Sequence, residues 1–164
     1  MYTELVCAFS LTKGTPQHVV DTLLYMTGQS SAEPETLPPH PFFGDTRWDH
    51  MLRGGSAYFD GDPHSTVRVD EYSGKHRVTI RCNFKNYDGE LEKFIDWLTP
   101  HIDALPGDFV GYKRYEDTDV PTLLYHPGIF ITPQIPEDFL AGAAIDTDAW
   151  VEATRQPCAL EGKK

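Results

Sequence analysis

Asp60, Asp62 and His64 alternate within the run Tyr58-Phe59-Asp60-Gly61-Asp62-Pro63-His64-Ser65-Thr66, the richest cluster of reactive side chains in the chain. Hard carboxylate oxygens beside an imidazole suit a Mn or Zn ion. Asp60, Asp62 and Glu71 also fall at positions 1, 3 and 12 of a calcium loop, with apolar Val67 at position 8. Pro63 and Ser65, however, stand where that loop needs a flexible residue and a glycine, and strand-like sequence flanks it. An ordinary Asp-Gly-Asp-Pro turn joining two strands accounts for the same residues. The expectation is therefore no metal and no cofactor.

His64-Ser65-Thr66 also matches the His-x-Thr element of two-histidine phosphodiesterases, which need two such elements, one histidine as base and one as acid. None of His18, His40, His50, His76, His101 and His126 is followed two residues later by Ser or Thr. Nucleophilic chemistry finds no frame either. There is no Gly-x-Ser-x-Gly elbow, Cys-x-x-Cys pair or His-Glu-x-x-His, and Gly54-Gly55 lacks the rest of a phosphate loop. Cys7 and Cys82 fall on core faces of predicted strands, where thiols are inert, and Cys158 lies in the C-terminal segment. No catalytic residue is assigned, and an enzyme is the less favoured class.

What remains is a density of aromatic and arginine side chains, the types that anchor interfaces and stack on planar ligands. Taken singly, each is better explained as a core or strand-edge residue. Tyr112 and Arg114 share one face of a predicted strand, with Lys113 and Tyr115 on the other, so one of these faces must meet solvent, a partner or a ligand. The candidate binding residues are Trp48, Arg53, Tyr58, Asp60, Asp62, His64, Tyr112, Arg114, Tyr115 and Trp150.

These residues need a scaffold. Leu5, Cys7, Phe9 and Leu11 alternate with Val6, Ala8 and Ser10, the pattern of a central strand. Thr15 as cap, Pro16 in the first turn and Gly28 at the end frame a helix over 15–27. Residues 29–41 are loop, a short helix or turn follows over 46–52, and a strand over 56–59. Val67 and Val69 begin a strand that turns at Ser73-Gly74. In the next strand Val78, Ile80, Cys82 and Phe84 alternate with Arg77, Thr79, Arg81 and Asn83, apolar inward and polar outward. Asp88 is the expected cap of a helix over 88–98, with Leu91, Phe94, Ile95 and Leu98 on one stripe. A hairpin over 109–115 and 122–126 completes the core. The order implies an α+β fold, a mostly antiparallel sheet with two main helices on one face, of elaborated ferredoxin-like split βαβ type. Residues 1–130 form this core. Residues 131–164 read as an acidic, proline-containing appendage with a short helix over 146–154, anchored by Trp150 to its own core or to a second copy.

The chain has 164 residues, 40% hydrophobic, and a net charge of −11. Such acidity disfavours nucleic acid, which demands a basic face, and an anionic membrane surface. Solubility is its simplest reading, and a protein partner with a basic surface is the sharper one. An odd count of unclustered cysteines and the absence of a signal-like start point to the cytoplasm.

Residues 2–126 resemble a family of small bacterial and phage proteins of uncharacterised function. The resemblance lies in His40-Pro41-Phe42-Phe43-Gly44, Arg47-Trp48, Tyr58-Phe59-Asp60-Gly61-Asp62, Ile80-Arg81-Cys82-Asn83, Lys85-Asn86-Tyr87-Asp88, Phe94-Ile95-Asp96-Trp97 and Gly111-Tyr112-Lys113-Arg114-Tyr115-Glu116. It implies a bacterial or phage setting and carries no site residues. The expected function is a non-enzymatic interaction protein that binds and modulates a host or cellular protein. The competing expectation is a binder of an anionic or nucleotide-like small molecule, or a phosphodiesterase-like enzyme, using the loop from Asp60 to His64.

Overall fold

In a computed structural model, residues 2–55, 65–118 and 120–134 are described. Eight principal elements follow in chain order: β1 Thr3–Ser10, α1 Gln17–Met26, β2 Thr66–Val69, β3 His76–Phe84, α2 Glu90–Leu98, β4 Phe109–Tyr115, β5 Thr122–Tyr125 and β6 Ile129–Ile131. The six strands form one sheet in the order β2-β3-β1-β4-β5-β6, antiparallel at every junction. The first four strands with their two helices reproduce the split βαβ order, and β5 and β6 extend it beyond β4. The expected strand over 56–59 and helix over 146–154 lie outside the described residues.

Apolar alternation on β1 and β3 makes the floor of the core. Leu5, Cys7 and Phe9 face Cys82, Ile80 and Val78 across the ladder, and all six are buried. Val19, Leu23 and Met26 of α1 and Leu91, Phe94, Ile95 and Leu98 of α2 are buried in the same core. A layer of rings adds to it. Phe42 is completely buried, lies 5.4 Å from Phe94 and 5.7 Å from Trp97, and Phe43 meets Trp48 and Trp97 edge-on. The His-Pro-Phe-Phe-Gly segment is thus a packing wedge: His40 Nδ1 accepts from Phe42 N–H, which leaves its other nitrogen to donate to Asp96.

Both expected caps are replaced. Helix α1 starts one residue after Pro16, in extended conformation at the cap position, and the Thr15 hydroxyl is taken by that of Thr12 at 3.0 Å. Gly28 ends the helix with φ +75, as its sequence position indicates. At α2 the cap position is Gly89 with φ +73, and Asp88 does not cap. The Asn86 side chain accepts from Leu91 N–H instead, and Glu90 reaches back to Asp88 N–H. A side chain two residues before the predicted cap does its task because the left-handed glycine turns the chain between it and the helix.

The extra strand β6 crosses the expected core boundary at residue 130. Three residues are too few for a readable period. At the other edge, Gln29 holds Val67 by both backbone groups, its amide donating to the carbonyl at 3.0 Å and its oxygen accepting from N–H at 2.6 Å. This occupies part of an edge that would otherwise be open for pairing.

Two predictions follow from packing. Gly111 of β4 lies so close to β1 that a Cβ there would stand 2.1 Å from the Val6 carbonyl oxygen and 2.9 Å from Cys7 Sγ. Gly111→Ala should therefore cost about 3 kcal/mol in denaturant unfolding, whereas Gly14→Ala should stay within about 0.5 kcal/mol, because nothing lies within 4 Å of it. Burial pushes the Glu92 carboxyl up, but hydrogen bonds from Lys113 at 2.5 Å and Asn86 at 3.1 Å outweigh it and hold the group below its ordinary value. A depressed carboxyl stabilises the fold above its unfolded value and loses that contribution as pH falls through its folded value. Thermal melts of Glu92→Gln should show a loss under about 1 kcal/mol at neutral pH, vanishing as the pH drops below about 4.

Candidate interaction face on the open side of the sheet

Both helices pack on one side of the sheet, so the other side is defined by the alternate residues of each strand. Cross-strand partners point to the same face, which lets the register assemble this surface row by row. On the β2-β3 side, Thr66 stands opposite Thr79 and Arg68 opposite Arg77. Arg81 follows on β3, opposite Val6 of β1, whose other partner is Tyr112 of β4. Tyr112 in turn faces Leu123, and Leu123 faces Ile131. Tyr125 stands between Phe109 and Ile129, and its ring meets Phe109 edge-on at 5.7 Å.

The open face therefore has two halves of different chemistry. The β2-β3 half is basic, with Arg68, Arg77 and Arg81 among threonines. The β4-β5-β6 half is apolar and aromatic, with Phe109, Tyr112, Leu123, Tyr125, Ile129 and Ile131. Phe109, Ile129 and Ile131 are each at least half exposed, at 57%, 51% and 50%. Exposed apolar side chains so clustered mark an interaction surface more often than chance scatter.

Between the halves runs a polar row, Asn83–Glu4–Arg114, in cross-strand register. Glu4 is completely buried on a face that elsewhere meets solvent. Burial raises the Tyr112 hydroxyl above its ordinary value; the Glu4 charge raises it further, and Arg81 and Arg114 oppose the rise. The four groups thus share one electrostatic neighbourhood. Arg68 and Arg77 sit directly opposite each other, a like-charge pairing that costs stability unless solvent or an anion screens it. Only a long contact of 3.9 Å to Asp70 offsets Arg77 among the described residues. Thr66, Arg68, Asp70, Arg77 and Thr79 border a groove of about 330 Å³ there.

The expected binding residues divide between the two sides. Tyr112 and Arg114 are on the open face. Tyr115, opposite Thr3, belongs to the helix side and lines a cavity of about 570 Å³ with Asn86 and Lys113. Trp48 packs on Tyr25 and Phe43 on the helix side, so it does not converge with Arg114. Arg53 lies over the Tyr25 ring at 5.2 Å and donates to the Tyr25 carbonyl, tying down the last turn of α1. Tyr58, Asp60, Asp62, His64 and Trp150 lie outside the described residues. Sequence reasoning took Arg77, Thr79 and Arg81 for a solvated face and missed Phe109, Leu123, Ile129 and Ile131. Thr122-Leu123-Leu124-Tyr125 puts a leucine on each face of its strand, and nothing local showed which face would stay open.

Cys7 and Cys82 are buried free thiols, and burial pushes both far above the ordinary thiol range, so neither is a nucleophile. Among the described residues, no group of three His, Cys, Asp or Glu side chains could hold a metal, and no helix is long and apolar enough to cross a membrane. No family model, curated protein or solved structure matches the chain.

The shared electrostatics give a test. Glu4→Gln removes a negative charge that raises the Tyr112 hydroxyl, so Tyr112 should ionise at lower pH in that variant. Absorbance titration, with Tyr112 assigned by subtracting the Tyr112→Phe curve, reads the direction. An unchanged or upward shift would show that the two groups do not interact.

Proposed function

We propose that this chain is a non-enzymatic interaction protein that binds and modulates a cellular protein through the open face of its sheet. The observation that carries this reading is the division of that face into an arginine half and an exposed apolar half. A partner segment with apolar side chains along one stretch and carboxylates along the next complements both. Aromatic and arginine anchors around an apolar centre are what binding surfaces use for affinity.

Net charge alone suggests a basic partner, but contacts respond to local potential, because charges further apart than about 8 Å are screened at physiological salt. On this face two arginines, Arg68 and Arg77, stand side by side in an otherwise acidic chain. A nucleic acid would meet the same arginines, but the charge of −11 opposes a polyanion. A cytoplasmic setting suits the two buried free thiols.

The test is affinity capture from the source cells with three versions of the protein. Arg68→Glu/Arg77→Glu and Ile129→Asp/Ile131→Asp should each lose the same bound protein, with affinity reduced at least about tenfold. Gln17→Ala, on the exposed start of α1, should retain it. A partner that survives both face variants binds elsewhere and overturns the proposal.

A further inference from the structure

A second feature lies on the helix side of the sheet, apart from the open face. The 3-10 helix Trp48–Arg53 packs against β3 and α1, and a cavity of about 270 Å³ lies beside it, bordered by Glu90 at the start of α2. Its walls are mainly apolar, built from Tyr2, Trp48, Met51 and Phe84. Trp48 is held in place by rings behind it, 5.2 Å from Phe43 and 6.0 Å from Tyr25, so one wall is preorganised.

The polar groups at this cavity are unequal in sign. Glu90, whose side chain is only 7% exposed, has both oxygens committed: one accepts from Arg47, the other from Asp88 N–H at 2.9 Å. That carboxylate neutralises Arg47, whose guanidinium also lies over the Tyr87 ring at 5.5 Å. His50 is 3.4 Å from Asp49, which balances it when protonated. Lys85 differs. Its ammonium lies 5.5 Å from the Tyr2 ring centroid and 5.8 Å from that of Tyr87, and among the described residues no carboxylate pairs with it. Two ring faces position the charge without cancelling it. Among the described residues the cavity therefore has mainly apolar walls and, at its rim, a positive charge that no carboxylate offsets.

We propose that this cavity binds a small flat aromatic monocarboxylate, its ring against Trp48 and Phe84 and its carboxylate on Lys85. A cation is disfavoured because both Glu90 oxygens are already used. A nucleotide is disfavoured by size, since the cavity falls just below the range of roughly 300–1,000 Å³ that drug-sized ligands occupy. One ring or two fused rings fit it. The assignment is independent of the interaction face, which lies on the other side of the sheet.

Calorimetric titration of the full chain with naphthoate and with naphthamide tests this, since the two have one shape and differ in charge. Naphthoate should bind at least about tenfold more tightly. Lys85→Met, at an exposed position, should abolish that preference while leaving naphthamide binding unchanged. Trp48→Ala should weaken both ligands if it folds, as judged by circular dichroism; Lys85→Met carries the test if it does not. Arg68→Glu/Arg77→Glu should bind naphthoate as the parent chain does. Equal affinity for the two ligands, full naphthoate affinity in Lys85→Met, or no binding at millimolar concentration would each overturn the proposal.

Discussion

The architecture depends on β1 being hydrogen-bonded along both of its edges. Its eight residues pair with β3 on one side, and its first five pair with β4 on the other. Every buried peptide group on a central strand must find a partner, so a strand this apolar is most stable between two others. Placing β3 and β4 on opposite sides of β1 then forces each helical connection to cross over a strand, and both helices land on the face that shows Leu5, Cys7 and Phe9. The close fit at Gly111 belongs to the same constraint, since only a residue without a Cβ lets β4 approach β1 there.

The division of the open face follows from that central position. With β1 in the middle, the polar outward residues of β2 and β3 collect on one side and the apolar ones of β4, β5 and β6 on the other. Glu4 sits on the dividing line, completely buried between Asn83 and Arg114 in register. A buried carboxylate is costly unless charges and hydrogen-bond donors surround it, and the neighbouring arginines are placed to meet that cost. Further along the same face Arg68 and Arg77 stand opposite each other, in a chain whose total charge is strongly negative.

The helix side is organised differently. Rings of Phe42, Phe43, Trp48, Phe94 and Trp97 fill the space over the two helices, and charged side chains tie the periphery: Lys93 to Asp45, Arg47 to Glu90, Lys113 to Glu92. Most of these pairs are partly solvated and contribute little each. Their common effect is to close the periphery with neutral pairs. Lys85 stands out against that background because rings, not carboxylates, surround it.

The sequence by itself determined the elements whose signal is local. Alternation in β1 and β3, the apolar stripe of α2, the glycine stop after α1 and the hairpin at Ser73-Gly74 depend on neighbours a few residues away, and the chain alone sufficed to place them. Leu5, Cys7, Phe9, Leu23, Val78, Ile80, Cys82, Phe94, Ile95 and Leu98, the core residues expected from those patterns, are all buried, and the order of elements pointed to the split βαβ core among the handful of topologies that hairpins and crossovers allow. Tertiary structure decided what depends on partners distant in the chain. Local competition also mattered: Thr15 and Asp88 are good caps by type, yet nearby Thr12 and Asn86 changed the outcome. Glu4, one residue into its strand, is completely buried on the open face because β3 and β4 flank it from about 80 and 110 residues away. The binding face needed the register of six strands to bring Arg68, Tyr112 and Ile131 onto one surface. A side chain's type is written in the sequence, but its neighbours across a sheet are set by pairing, and recognition depends on the neighbours.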